Sequence, residues 1–119
     1  MLVARKPKGI TARLRARKAR KDRLVADRIR ELVSARDGYC RYGKDVHPSG
    51  RDACEGVSEW AHFDGFKRFK TRGRAPEDRH TMAGSLMLCT RHHAQYDQGK
   101  LGIIAWDGVA LCNGPLLYR

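Results

Sequence analysis

Long hydrophobic runs are missing from this chain. No apolar stretch approaches the roughly 20 residues that a membrane span needs. The opening "MLVARKPKGI" lacks the apolar centre of a secretory leader. Acidic side chains are scarce: 13 Asp and Glu stand against 25 Lys and Arg, for a formal net charge of +12 in 119 residues. Internal repeats are absent too. These absences argue against a membrane-spanning protein and a repeat array. They lead us to expect one soluble, cytoplasmic domain of modest core, with a phage or bacterial origin equally compatible. The charge points to a polyanionic partner, nucleic acid first and an anionic membrane second.

Cysteine is present but sparse: Cys40, Cys54, Cys89 and Cys112. An even count could mean two disulfides. With no leader and with histidines beside one cysteine, metal binding is the better reading.

Residues 1–23 are dominated by Arg and Lys, and Pro7 and Gly9 argue against helix at the very start. From Thr11, a plausible N-cap, helix is expected to about residue 36, where Gly38 stops it. Leu24, Val25, Ile29, Leu32 and Val33 recur at helical spacing and should form its apolar face. The first half is too charged to bury, so residues 1–31 read as a basic arm and 32–119 as the folded domain. A solvated tail and an arm that orders on nucleic acid are both compatible with that composition.

Residues 39–56 read as irregular. "VSEWAHF" (57–63) and "SLML" (85–88) read as short strands, separated by a long loop in which basic and aromatic residues mix. Residues 89–98 read as a helix. Asp107-Gly108 in "LGIIAWDGVALC" signals a two-residue hairpin turn, which would put Cys112 inside an apolar strand as a core thiol.

The chemistry concentrates in "LMLCTRHHAQYD", residues 86–97. On a helix, residues four apart share a face, so His93 and Asp97 can converge on one cation. His92 projects about 100° away from His93 and pairs better with Cys89. Cys89-x-x-His92 has ordinary zinc half-site spacing, and Cys40 and Cys54 are the available partners for a closed structural Cys3His set. His47 is a possible substitute ligand, and small buried thiols without metal are the plain alternative. For His93 and Asp97 the plain alternative is a surface pair.

The order "EWAHF", long loop, "SLMLCTRHHAQYD" resembles the HNH endonuclease family over roughly residues 32–104, and "ARDGYCRYG" resembles the segment before the motif in its zinc-bearing members. The resemblance implies an α+β fold: a small ββα-metal core with a structural zinc knuckle, a basic helix before it and a short β-hairpin after it. It implies His62 as general base, His93 and Asp97 as ligands of a catalytic divalent ion, and Cys40, Cys54, Cys89 and His92 as ligands of structural Zn²⁺. Mixed imidazole and carboxylate ligation suits Mg²⁺, Mn²⁺, Ni²⁺ or Zn²⁺ alike. The implied activity is metal-dependent hydrolysis of DNA phosphodiesters, as a nickase or double-strand cutter, with a phage terminase as a possible partner in genome processing. Three departures stand out. Ala61 replaces a metal-binding residue, Gly84-Ser85 stands where an asparagine is usual, and "CRYG" breaks a Cys-x-x-Cys. Ser85 or His80 could take over part of the asparagine's role.

DNA contact is expected from clustered cations: Arg13, Arg15, Arg17, Lys18, Arg20 and Lys21 on the arm, and Lys67, Arg68, Lys70, Arg72 and Arg74 on the loop. Phe66 and Phe69 could stack on bases or pack the loop. A zinc-stabilised binding module without catalysis is the competing expectation. An RNA- or ribosome-associated protein rests on charge alone.

Overall fold

The computed structural model describes residues 8–119. The fold is α+β: one long helix and two small antiparallel sheets. Helix α1 runs Lys8–Asp37 without interruption, so Thr11 lies inside it and Gly9 does not delay it; the break expected at Pro7 falls outside the described residues. Gly38 ends it with φ +72°, its amide donating to the Ser34 carbonyl at 2.8 Å. Glycine reaches that left-handed conformation without a steric cost.

Residues 12–21 of α1 are exposed, and the helix lengthens the molecule to 67 Å against 30 and 26 Å in the other directions. The apolar face expected on its second half is narrower than the spacing suggests. Val33 is fully buried and Val25, Ile29 and Leu32 are half-buried, but Leu24 is 63% exposed. Val33 lies where the C-terminal end of the helix packs on β2; further back the helix meets the domain through the polar side chains of Lys21 and Asp22, which leaves Leu24 exposed.

The segment read as irregular holds the short helix α2 (Arg41–Val46) and a 3₁₀ turn at Gly50–Asp52. Strand β1 (Ser58–His62) pairs antiparallel with β2 (Ser85–Cys89), His62 opposite Ser85 and Ser58 opposite Cys89. The long loop between them contains one helical turn, α3 (Pro76–Arg79), with Pro76 at its first position. Every residue of β2 is buried, and α1, α2 and α4 (Thr90–Asp97) all pack on it. Leu86 and Leu88, both at 0% exposure, contribute about 1.5–3 kcal/mol each through burial.

A buried ion network ties these pieces together. Asp37 accepts from Arg36 (2.6 and 2.8 Å), from Arg41 (3.1 Å) and from the Met87 amide (3.0 Å). Arg36 also donates to the carbonyls of Met82 and Ser85, and Arg41 to those of Cys112 and Gly114. The end of α1, the start of α2, strand β2 and the C-terminal segment are thereby held in one arrangement.

The C-terminal hairpin differs from the sequence expectation. Strands β3 (Ile103–Ala105) and β4 (Leu116–Tyr118) pair across a loop spanning 106–115, not across Asp107-Gly108. The Asp107 carboxylate accepts from the amides of Val109 and Ala110 at 2.8 and 3.2 Å, which curls the chain into a 3₁₀ turn at Leu111–Asn113. Cys112 therefore sits in that turn, not in a strand. It is fully buried, and burial pushes its thiol up to about 12.

Candidate metal centre and cation-lined cleft

Helix α4 begins where β2 ends, and Cys89 is its N-cap, accepting from the His92 amide at 3.4 Å. Cys40 caps α2 in the same way, accepting from the Gly43 amide at 3.4 Å. Two helix starts thus offer backbone N–H groups to two sulfurs, an arrangement that favours thiolate. Cys54, just beyond the 3₁₀ turn, and His92 complete the group. The ligand atoms of Cys40, Cys54, Cys89 and His92 all lie within 4.8 Å of one another.

The imidazole of His92 is set for this role. Its Nε2 donates to the Asp52 carbonyl at 2.7 Å, which leaves Nδ1 with its lone pair facing the sulfurs. Nδ1 lies 3.1 Å from Cys89 Sγ, 3.5 Å from Cys40 Sγ and 3.6 Å from Cys54 Sγ. Ligands of a tetrahedral zinc, at about 2.0–2.3 Å from the ion, stand at comparable separations. The Tyr42 ring covers His92 at 4.4 Å. His47, weighed as a substitute ligand, is exposed at the C-cap of α2 and takes no part in the cluster.

The thiols cannot ionise together unaided. Burial, with the neighbouring Cys89 thiolate, raises Cys40; burial and then the Cys40 thiolate push Cys54 up to about 12. Burial opposes ionisation of Cys89 as well, but hydrogen bonds from the backbone at His92 and Glu55 outweigh it and lower that thiol. A divalent cation among the sulfurs removes the mutual repulsion, so the donor set fits a structural zinc.

The other edge of α4 carries a second group. His93 Nε2 lies 3.4 Å from Asp97 Oδ2, while its Nδ1 sits 2.7 Å from Glu59 Oε1. Sequence reasoning missed Glu59. Its other oxygen accepts from Thr90 Oγ1 at 2.7 Å, and the Thr90 and His93 bonds hold the carboxyl below its ordinary range. With Nδ1–H given to Glu59, the Nε2 lone pair and the Asp97 carboxylate face each other, as two ligands of one cation would. Lys67 Nζ reaches to 4.0 Å from Asp97 and 3.6 Å from Asp64. Ala61, 1% exposed, adds no third ligand.

His62 lies apart from this pair in its hydrogen bonding. Along β1, Glu59 and Ala61 share one side and Trp60 and His62 the other. His62 Nε2 pairs with His80 Nδ1 at 3.2 Å, and His80 Nε2 with Asp22 Oδ1 at 3.0 Å. The Trp60 ring stacks obliquely near both imidazoles, at 4.5 and 5.4 Å. Burial, then repulsion from the His80 ring whenever that ring carries a second proton, and from the Arg79 guanidinium, lower His62 below the ordinary imidazole value; the Asp22 carboxylate pulls the other way and His93 adds a further lowering.

His62 and His80 line a cleft of about 650 Å³ with Lys18, Asp22, Phe66, Arg68 and Arg79. Cations from the arm, the loop and α3 therefore meet around one imidazole. Lys21, Arg74 and Arg79 line an adjoining hollow, and Lys21 pairs with Glu77 at 3.0 Å. Arg13, Arg15, Arg17 and Arg20 are exposed on α1, and Lys70 and Arg72 on the loop. Phe66 packs against Gly84, whereas Phe69 is 68% exposed. No helix among the described residues is long and apolar enough to cross a membrane. No protein-family model, curated protein or solved structure matches the chain.

Proposed function

We propose that this chain is a metal-dependent DNA endonuclease of the HNH type, with β1, β2 and α4 as its ββα-metal core. One observation carries the reading: α4 follows an antiparallel pair directly and divides its ligands, Cys89 and His92 toward the cysteine cluster, His93 and Asp97 toward the opposite edge. His62 closes β1 inside a cation-lined cleft, where a phosphodiester has counter-charges to bind.

Phosphodiester hydrolysis needs an activated water, neutralised phosphate charge and a protonated leaving oxygen. His62, neutral near pH 7 because its pKa is lowered, takes the proton from the attacking water. Lys18, Arg68 and Arg79 hold the phosphate oxygens. His93 and Asp97 would hold the divalent ion, with Glu59 fixing the His93 ring; when bound, that ion supplies charge stabilisation at the phosphate and the departing oxygen. With two protein ligands, the ion that suits the site keeps water or phosphate in its shell. Genome processing beside a terminase is the setting the family resemblance suggests.

A non-catalytic zinc-stabilised nucleic-acid-binding module is the second reading. It is favoured by Ala61 and by the Lys67 ammonium 4.0 Å from Asp97, which competes with a cation for that carboxylate.

The test is nicking of supercoiled plasmid by wild type and His62→Ala, with Mg²⁺, Mn²⁺, Ni²⁺ or Zn²⁺ and with EDTA. Metal-dependent nicking that His62→Ala abolishes, with DNA binding retained, is the expected result. Equal rates in both proteins remove His62 as base. Binding without cleavage under every ion selects the second reading.

A further inference from the structure

The hydrogen-bond line from His62 through His80 ends on Asp22, a residue of the arm helix and not of the domain that carries the rest of the site. Its direction follows from chemistry. The Asp22 carboxylate can only accept, so His80 Nε2 carries a proton toward it. A neutral His80 then has a bare Nδ1, which can only accept from His62 Nε2–H. That leaves His62 Nδ1 as the one unprotonated nitrogen of the ring.

His80 is buried, at 8% exposure, and Trp60 packs near both rings, so neither imidazole is free to rotate at little cost. Asp22 is fixed in turn by Arg79 Nη1 at 3.2 Å, and Lys21 clips the same stretch of α1 to Glu77 on α3. The charged first half of α1 is thus attached where it meets His80.

We infer that Asp22 and His80 are positioning residues that hold His62 as its Nε2-protonated tautomer, so that helix α1 completes the site and does more than supply charge. This rests on the nuclease reading for its consequence, though not for its geometry. When His62 Nδ1 accepts the proton of the attacking water, the ring becomes imidazolium while the water oxygen bonds to phosphorus and the P–O bond to the leaving oxygen breaks. The leaving oxygen takes its proton from solvent. Nε2–H stays on His80, and Asp22 offsets the new positive charge through it. Lys18, Arg68 and Arg79 in the cleft, together with His93, oppose that charge, and Asp22 is the one carboxylate lining the cleft.

The experiment uses the full-length, zinc-loaded protein labelled with ¹⁵N. Long-range ¹H–¹⁵N correlation reads the tautomer of His62 near pH 7.5, and plasmid nicking gives kcat, KM and the pH profile. In wild type, His62 should be Nε2-protonated. His80→Ala should leave a mixture of tautomers and lower kcat about tenfold or more, with KM for plasmid within about twofold. Asp22→Asn can still accept from His80, so it should keep the tautomer, lower kcat, and move the acid limb of the profile to lower pH, because the charge that raises His62 is gone. Asp22→Ala, at a half-exposed position, frees the tautomer by a second route should His80→Ala not fold.

Two outcomes overturn the inference: a wild-type His62 protonated on Nδ1, or a tautomer that His80→Ala and Asp22→Ala both leave unchanged. A wild type that nicks nothing while its tautomer responds as described supports the positioning line and overturns the nuclease reading instead.

Discussion

Gly43 and Cys54 share one space: a Cβ added to Gly43 would stand 2.6 Å from Cys54 Sγ. The same glycine donates its amide to Cys40 Sγ. Position 43, the fourth of Cys40-Arg41-Tyr42-Gly43, thus carries no side chain, and the Cys54 sulfur occupies the space one would fill.

Gly43→Ala is therefore expected to weaken the centre although it changes no ligand. Either Cys54 withdraws from the cluster or the start of α2 shifts; overpacking of this kind costs about 1–3 kcal/mol. Competition with a chromophoric chelator should read a roughly tenfold to hundredfold loss of zinc affinity on that basis. Wild-type affinity in Gly43→Ala would mean that Cys54 is not a ligand. Cys89→Ala, which removes both a ligand and the α4 cap, should lose zinc and the cooperative melt together.

Asp37 is expected to matter more for stability than any surface charge. Its side chain has no exposure and its partners Arg36 and Arg41 are mostly buried. Removing one member of such a group leaves uncompensated charge inside, at a cost of about 3–5 kcal/mol. Asp37→Asn should lower the urea midpoint at unchanged zinc content. A variant within about 0.5 kcal/mol of wild type would show that the network is replaceable by water.

The sequence pattern made much of this visible, and its failures have physical causes. Helix α4 and its two ligand edges follow from residue types three and four apart, a local signal. Cys40 and Cys54 were reachable because soft ligands are rare in a chain with four cysteines. Glu59 and Asp22 were not identified in their roles, because each acts through a residue distant in sequence: Glu59 through His93, Asp22 through His80. His80 itself was within reach, as a stand-in for the asparagine beside His62. A carboxylate among Arg and Lys on a solvated helix reads as charge balance until the fold brings α3 against it. The C-terminal hairpin was misplaced for a local reason. Asp107-Gly108 is a turn, but the Asp107 side chain captures two following amides and delays the return strand to Leu116.

The lowered pKa of His62 gives stability a pH dependence of known sign. A histidine lowered on folding keeps its ring neutral in the native state while the unfolded chain, near 6.5, takes up a proton. Stability from this group is present above about pH 6.5 and is lost as pH falls through the lower native value. In urea titrations between about pH 7 and pH 5, His62→Gln should lose stability less steeply than wild type. Parallel slopes in the two proteins would assign the acid sensitivity wholly to other groups, the zinc ligands first.

Glu59 tests the second edge of α4 without touching a proposed ligand. Its carboxylate takes the Nδ1 side of His93 and so turns the Nε2 lone pair toward Asp97. Glu59→Gln keeps the size and the Thr90 contact but lets the amide present a donor to Nδ1, which permits the other tautomer and places a proton where a cation would bind. Losses of about 10- to 100-fold in affinity accompany removal of such partners elsewhere. Mn²⁺ titration followed by water-proton relaxation should show that loss in Glu59→Gln, with the zinc content of the cysteine cluster unchanged. Lys67→Met, which removes the ammonium from beside Asp97, should shift Mn²⁺ affinity the opposite way. Neither variant altering Mn²⁺ binding would mean that His93 and Asp97 form a surface pair, and the binding-module reading would take precedence.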